Sequence, residues 1–227
     1  MNRNIPAICA AMLAFAIMFV ICGGFWSADK FPLAETTDKT IYLTFDDGPS
    51  DRVTPQILDV LKEEDVKATF FIIGRQAETR KYLVKREFDE GHTVGVHSYT
   101  HKYGEIYSSP ESLIKDIDRC NKLIKEVTGK YSGVYRFPGG SFGLSENLIS
   151  AVTERGLKYI DWNSSTRDAE ILGASPEQLY DAAITTASNT NHLVMLAHDS
   201  TTKSATAQAL KKIIQHFKAE GYSFGAF

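Results

Sequence analysis

Thr40-Ile41-Tyr42-Leu43-Thr44-Phe45-Asp46-Asp47-Gly48-Pro49 runs through alternating polar and apolar residues and then stops on two carboxylates and a turn. The period-two alternation reads as a strand over Ile41–Phe45, and Asp-Asp-Gly-Pro reads as the loop that ends it. Shortly afterwards Thr54-Pro55 sets a capping oxygen before a proline in the first helical turn. A strand, an acidic loop and a helix follow one another, and strands and helices go on alternating down the chain.

Further strands are expected at Ala68–Ile73, Thr93–His97, Val134–Phe137, Lys158–Trp162, Leu193–Ala197 and Tyr222–Phe224. Ser109-Pro110 and Ser175-Pro176 repeat the helix-start signal, and Gln178 completes a capping box with Ser175. Ser145 opens another helix, and Thr206 to Lys218 forms the last one. Regular strand–helix alternation implies parallel strands joined by right-handed crossovers. The fold class expected is therefore α/β, a distorted and incomplete (β/α) barrel of about seven parallel strands. A flat doubly wound sheet is the alternative, and no Gly-x-Gly-x-x-Gly turn supports it.

The chain has 227 residues, 43% of them hydrophobic and 23% charged, enough for one globular domain with a real core. A net charge of -3, with no basic stripe interleaved with aromatics, gives no reason to expect nucleic acid as a partner. The N-terminus is different in kind, because Ile5 to Trp26 carries no charge and is long enough to cross a bilayer of about 30 Å. Arg3 before it and Asp29 after it favour insertion with the C-terminal side outside. Residues 1–28 are expected to be a membrane anchor, with a cleaved signal peptide and secretion as the alternative, and 29–38 a linker. Residues 39–227 are then an extracytoplasmic catalytic domain, expected to be a monomer. Cys9 and Cys22 lie in the apolar segment, while Cys120 shares a helical stripe with Leu113, Ile117, Ile124 and Val127 and is expected as a buried free thiol.

The polar residues that could carry chemistry all fall at the C-terminal ends of the expected strands. Asp46 and Asp47 follow the first, His97 ends the third with His101 four residues on, and Arg136 ends the fourth. Asp168 follows the fifth, and His198-Asp199 ends the sixth. Parallel barrels carry their active sites at this end. An aspartate pair alone is as often a turn, and a histidine alone is as often a packed core residue, but these would have to coincide at one rim by accident. His97 and His101 share a face if the segment turns helically. His92, His192 and His216 stand apart from the cluster and read as structural or solvated. Phe70, Phe71 and Trp162 read as core packing. Two imidazoles and one carboxylate would hold a divalent ion with positions left open, as in a catalytic zinc site. A second carboxylate could take a proton from water, and a separate histidine could protonate a departing amine. Such a set hydrolyses an amide or an ester.

Thr44-Phe45-Asp46-Asp47-Gly48, His97-Ser98-Tyr99-Thr100-His101, Arg136-Phe137-Pro138-Gly139-Gly140 and Leu196-Ala197-His198 have the order and spacing of the polysaccharide deacetylase family. The chain resembles these NodB-like carbohydrate esterases of family four from about Thr40 to its C-terminus. Its nearest likeness is to bacterial peptidoglycan deacetylases. The resemblance implies that Asp47, His97 and His101 ligate the metal, usually Zn2+, with Co2+ or Ni2+ as alternatives. It implies that Asp46 is the general base, paired with Arg136, and that His198 is the general acid, tuned by Asp168. Gly139 would offer its backbone N–H to the oxyanion, and Leu196 would wall the acetyl-methyl pocket. The sequence departs from the pattern at Asp168-Ala169, where many members have Asp-Trp, so an aromatic wall is missing. The expected substrate is an N-acetylated cell-envelope polysaccharide, peptidoglycan first. An O-acetyl polysaccharide esterase, a chitooligosaccharide deacetylase and an inactive anchored glycan-binding protein are the alternatives.

Overall fold

The computed structural model describes residues 39–187 and 190–227, which belong to one unit, Thr37–Phe227. The apolar segment expected as an anchor or signal, its linker, Cys9 and Cys22 lie outside the described residues. Among the described residues no helix is long and apolar enough to cross a membrane.

Eight strands and eight helices alternate through the described residues. The strands are β1 (Thr40–Asp46), β2 (Thr69–Ile73), β3 (Thr93–Ser98), β4 (Val134–Tyr135), β5 (Lys158–Tyr159), β6 (Ser164–Ser165), β7 (His192–His198) and β8 (Ser223–Gly225). Every strand pairing is parallel, in the order β5-β4-β3-β2-β1-β7-β6, with β8 beside the first half of β1. All seven expected strands are present, and the short β6 is an addition whose two serines carry no hydrophobic pattern. The edge strands β5 and β6 are consecutive in the chain, and no pairing between them closes the barrel among the described residues. The fold is the incomplete parallel barrel expected.

The helices are α1 (Thr54–Glu63), α2 (Gly74–Glu78), α3 (Lys81–Asp89), α4 (Tyr103–Ile106), α5 (Pro110–Thr128), α6 (Glu146–Glu154), α7 (Pro176–Thr186) and α8 (Ser204–Ala219). Ser109 accepts from the N–H of Ser112 at 3.2 Å, and Ser175 with Gln178 forms the expected capping box. Thr54 departs from expectation. It lies inside α1, and its hydroxyl accepts from Ser50 N–H at 2.8 Å and donates to the Asp199 carboxylate. Helices α2 and α3 begin without a side-chain cap, so the connection between β2 and β3 has no start signal to read.

The pleat sorts the strand residues onto two faces. Leu43, Phe45, Phe70, Ile72, Val94, Val96, Met195 and Ala197 join the hydrophobic cluster between sheet and helices, together with Cys120. The intervening residues Thr44, Asp46, Phe71, Gly95, His97, Leu196 and His198 take the other face. Gly95 is needed there, because a Cβ on it would lie 2.6 Å from Phe71.

Candidate active site

Strand register does most of the assembly. In the β1–β7 pairing Asp46 sits opposite His198 and Thr44 opposite Leu196, while Asp46 faces Phe71 on the other side. The predicted site residues at the ends of β1, β3, β4 and β7 are thus brought to one end of the sheet, and Asp168 joins them from the loop after β6 rather than directly after β5.

Arg136 is fully buried, and its guanidinium is surrounded by acceptors. Its Nη1 donates to Asp46 Oδ1 at 2.9 Å and to Thr44 Oγ1 at 2.7 Å. Its Nε and Nη2 donate to the carbonyls of Ile160 and Asp161, in the link between β5 and β6. The guanidinium also lies over the Phe71 ring, 4.4 Å from its centre. Burial raises the Asp46 carboxyl above its ordinary pKa against the pull of Arg136.

Asp47, His97 and His101 offer ligand atoms that all lie within 4.8 Å of one another. His97 Nδ1 faces the Arg136 carbonyl at 2.9 Å, which makes it the donor and leaves Nε2 with a lone pair. Burial drives His97 down to about 3, so the ring is neutral at physiological pH. That lone pair faces Asp47 Oδ1 at 3.5 Å, and His101 Nε2 lies 3.2 Å from the same oxygen. Asp47 Oδ1 is itself buried without a hydrogen-bond partner. An imidazole lone pair and a carboxylate oxygen turned toward one another repel unless a cation lies between them. The donor set therefore fits a divalent ion, with coordination positions left over for substrate and water.

The segment from His97 to His101 does not turn helically, so the two rings meet by another route. His97 is the next-to-last residue of β3, and His101 is reached through a loop in which it takes a left-handed conformation, φ 55°. The buried carboxylate of Asp116, on α5, shapes that loop. It accepts from the hydroxyls of Ser98 and Thr100 and from the backbone N–H groups of Tyr99 and Thr100. Ser98 Oγ in turn accepts from His101 N–H at 2.9 Å. Asp116 was not singled out from the sequence, although an acid on the same stripe as Leu113, Ile117 and Cys120 was the available signal.

Asp199 has no role legible in the sequence. Its carboxylate receives the Thr54 hydroxyl, its carbonyl receives Ser50 Oγ at 2.6 Å, and its N–H donates to the Asp46 carbonyl at 3.1 Å. This ties the turn after Asp47 to the end of β7. A Cβ on Gly48 would lie 2.1 Å from the Asp199 carboxylate, so only glycine fits that turn. Burial pushes Asp199 up to about 7.

Across the site, His198 Nδ1 lies 2.7 Å from Asp168 Oδ1, and the His198 N–H and the Thr206 hydroxyl both donate to Oδ2. Burial works against charge on both partners, but their mutual attraction wins. Asp168 is held below its ordinary value, and His198 is raised to about 9. His198 is therefore an imidazolium at neutral pH. Leu196 is buried two residues before it, and Gly139 has a left-handed backbone, φ 81°, beside Tyr103.

The residues set aside stay apart. His92 is buried with its Nδ1 accepting from Ala68 N–H, His192 is exposed, and His216 pairs with Tyr180. Phe70 joins the core, but Trp162 does not. Trp162 is half-buried, with Arg136 over its ring and Phe142 edge-on against it.

Residues 34–160 match the polysaccharide deacetylase family. The chain is similar to the putative polysaccharide deacetylase YheN of Bacillus subtilis, 38% identical over 83% of this chain and 67% of that one. It is 35% identical to the peptidoglycan-N-acetylmuramic acid deacetylase PdaA of the same organism, over 86% of this chain and 73% of that one. The crystal structure of the catalytic domain of the peptidoglycan N-acetylglucosamine deacetylase of Eubacterium rectale superposes with a TM-score of 0.77. The two are 39% identical, over 84% of this chain and 89% of that one. The chain belongs to the polysaccharide deacetylase family.

Proposed function

We propose that this member of the polysaccharide deacetylase family is a metal-dependent hydrolase that removes N-acetyl groups from the amino sugars of a cell-envelope polysaccharide, peptidoglycan first, and releases acetate. One observation carries the reading. A carboxylate locked to an arginine and an imidazolium locked to an aspartate face one another beside three converging ligand atoms.

Asp47, His97 and His101 would hold the ion, zinc first, with cobalt or nickel as alternatives. Such an ion polarises a carbonyl and acidifies water. Asp46 takes the proton of the attacking water, and Arg136 holds Asp46 in place and favours its ionised form. The water oxygen bonds to the acetyl carbon, and the negative charge that develops on the carbonyl oxygen is met by the Gly139 N–H. Leu196 walls the space for the methyl group. As the carbon–nitrogen bond breaks, His198 gives its proton to the nitrogen, and Asp168 stabilises the imidazolium until then. An amine is a poor leaving group unless it is protonated, so a histidine charged at neutral pH supports amide over ester hydrolysis. Ala169 leaves the acetyl pocket without the tryptophan that many members carry.

Acetate release from purified peptidoglycan, with sugar analysis of the product, tests the reading. Free amino groups on N-acetylglucosamine or N-acetylmuramic acid residues are expected. Release from O-acetylated glycans alone would replace it with the esterase, and no release from any glycan would leave a binding protein. The domain would work outside the cytoplasm, tethered through residues 1–28. Mature protein should then fractionate with membranes and retain Met1 or Asn2, whereas a soluble form beginning between Gly23 and Asp29 would show cleavage.

A further inference from the structure

The loop after β4 holds an aromatic side chain out in solvent on a rigid support. Phe142 is 73% exposed, although the loop that leads to it is held by hydrogen bonds. Tyr107 Oη donates to the Pro138 carbonyl, and Gly140 N–H closes on the Phe137 carbonyl at 2.8 Å. Ser141 donates from both its N–H and its hydroxyl to the Asp161 carboxylate. Asp161 is the neighbour of Trp162, so the bonds that fix the loop also fix the ring beneath it. Gly140 has φ 85°, and a Cβ there would stand 3.0 Å from Trp162 and 3.2 Å from Phe142. The absent side chain lets the loop settle on the Trp162 ring, with Phe142 6.4 Å from it in an edge-on arrangement.

We infer that Phe142 and Trp162 form an aromatic shelf that binds the sugar next to the one being deacetylated. The inference rests on the deacetylase reading of the same site. Position supports it, because the shelf continues directly from Gly139, whose N–H faces the reacting carbonyl in that reading. A polymer held by its acetyl group at Gly139 has its adjoining ring over Gly140 to Phe142. Chemistry supports it too. The C–H face of a pyranose is apolar and packs on an aromatic ring, while its hydroxyls stay in water. Phe142 comes from the loop after β4 and Trp162 from the link between β5 and β6, whereas Ala169 follows β6, so the shelf grips the chain beyond the acetyl pocket rather than restoring the missing wall.

The test compares wild type with Phe142→Ala and Phe142→Tyr on an N-acetylglucosamine tetramer and on a small acetyl ester that has no second sugar. For Phe142→Ala the KM for the tetramer should rise about tenfold, equivalent to about 1.4 kcal/mol, with a much smaller penalty on the ester. Phe142→Tyr should restore most of the loss. An unchanged KM for the tetramer, or an equal penalty on both substrates, overturns the shelf. If the wild type releases no acetate from the tetramer, the deacetylase reading is judged on peptidoglycan and calorimetric binding of the tetramer decides the shelf. Tetramer binding weakened about tenfold by Phe142→Ala upholds it, and equal affinity, or no binding by the wild type, overturns it.

Discussion

The site contains two buried aspartate–cation pairs, and they differ in one respect. Asp46 is paired with an arginine, and Asp168 with a histidine. The guanidinium cannot give up its proton, so the first pair can only hold a carboxylate in place and favour its ionised form. The imidazole can give up its proton, so the second pair stores one and can deliver it. Burial penalises charge in both pairs, yet Asp46 ends above its ordinary pKa and Asp168 below. The identity of the cation thus separates a pair that can only hold its carboxylate from one whose cation can pass a proton on.

The largest effect should come from breaking the acceptor. Asp46→Asn keeps the shape but cannot take a proton, and turnover should fall on the order of 10²–10⁴-fold with metal content unchanged. Asp47→Asn should instead lose metal, and excess zinc should restore part of its activity. Metal content and turnover measured on both variants check this, and the opposite pattern would reverse the two roles. Arg136→Met strips the first pair of its cation and leaves Asp46 buried and unpaired. A loss of about 3–5 kcal/mol is expected in urea unfolding, the usual cost of breaking a buried pair from one side. A loss inside the scatter of surface substitutions would show that the acceptors around Arg136 matter more to it than Asp46 does.

The second pair is sharpened by pH. With His198 raised to about 9, it loses its proton only as pH climbs through that value, so kcat/KM should fall on the alkaline side near pH 9. Asp168→Asn removes the attraction that raises His198, and the alkaline fall should move down toward the ordinary histidine value of about 6.5. An unmoved limb would mean that His198 is not the group being titrated. The smallest effect concerns the loop that carries His101. Asp116→Ala strands four donors, and a stability loss of about 1–3 kcal/mol with weaker zinc binding is expected. Zinc affinity equal to wild type would show that the loop keeps its shape without Asp116.

Much of this was legible in the sequence because its signals are local. Alternation within Ile41–Phe45, the serine–proline starts of α5 and α7, and the capping box at Ser175 all lie within a few residues of what they specify. The ordered motifs put Asp46, Asp47, His97, His101, Arg136 and His198 at strand ends. The four-residue spacing of His97 and His101 left their local conformation open, because it cannot distinguish a helix from a loop held by a distant acid. Trp162 misled for a similar reason, since a tryptophan in a strand-like run reads as core wherever its neighbours are unknown.

What the sequence alone determined is the alternating parallel architecture and the rim on which the reactive residues gather. The tertiary structure decided the states of those residues. His97 presents a lone pair because the Arg136 carbonyl, 39 positions away, accepts a hydrogen bond from its other ring nitrogen. His198 is charged because Asp168, 30 positions away, lies 2.7 Å from it in a buried place. Proton affinity depends on desolvation and on the nearest opposite charge. Both are properties of packing between residues remote in the chain, so only the folded molecule settles them.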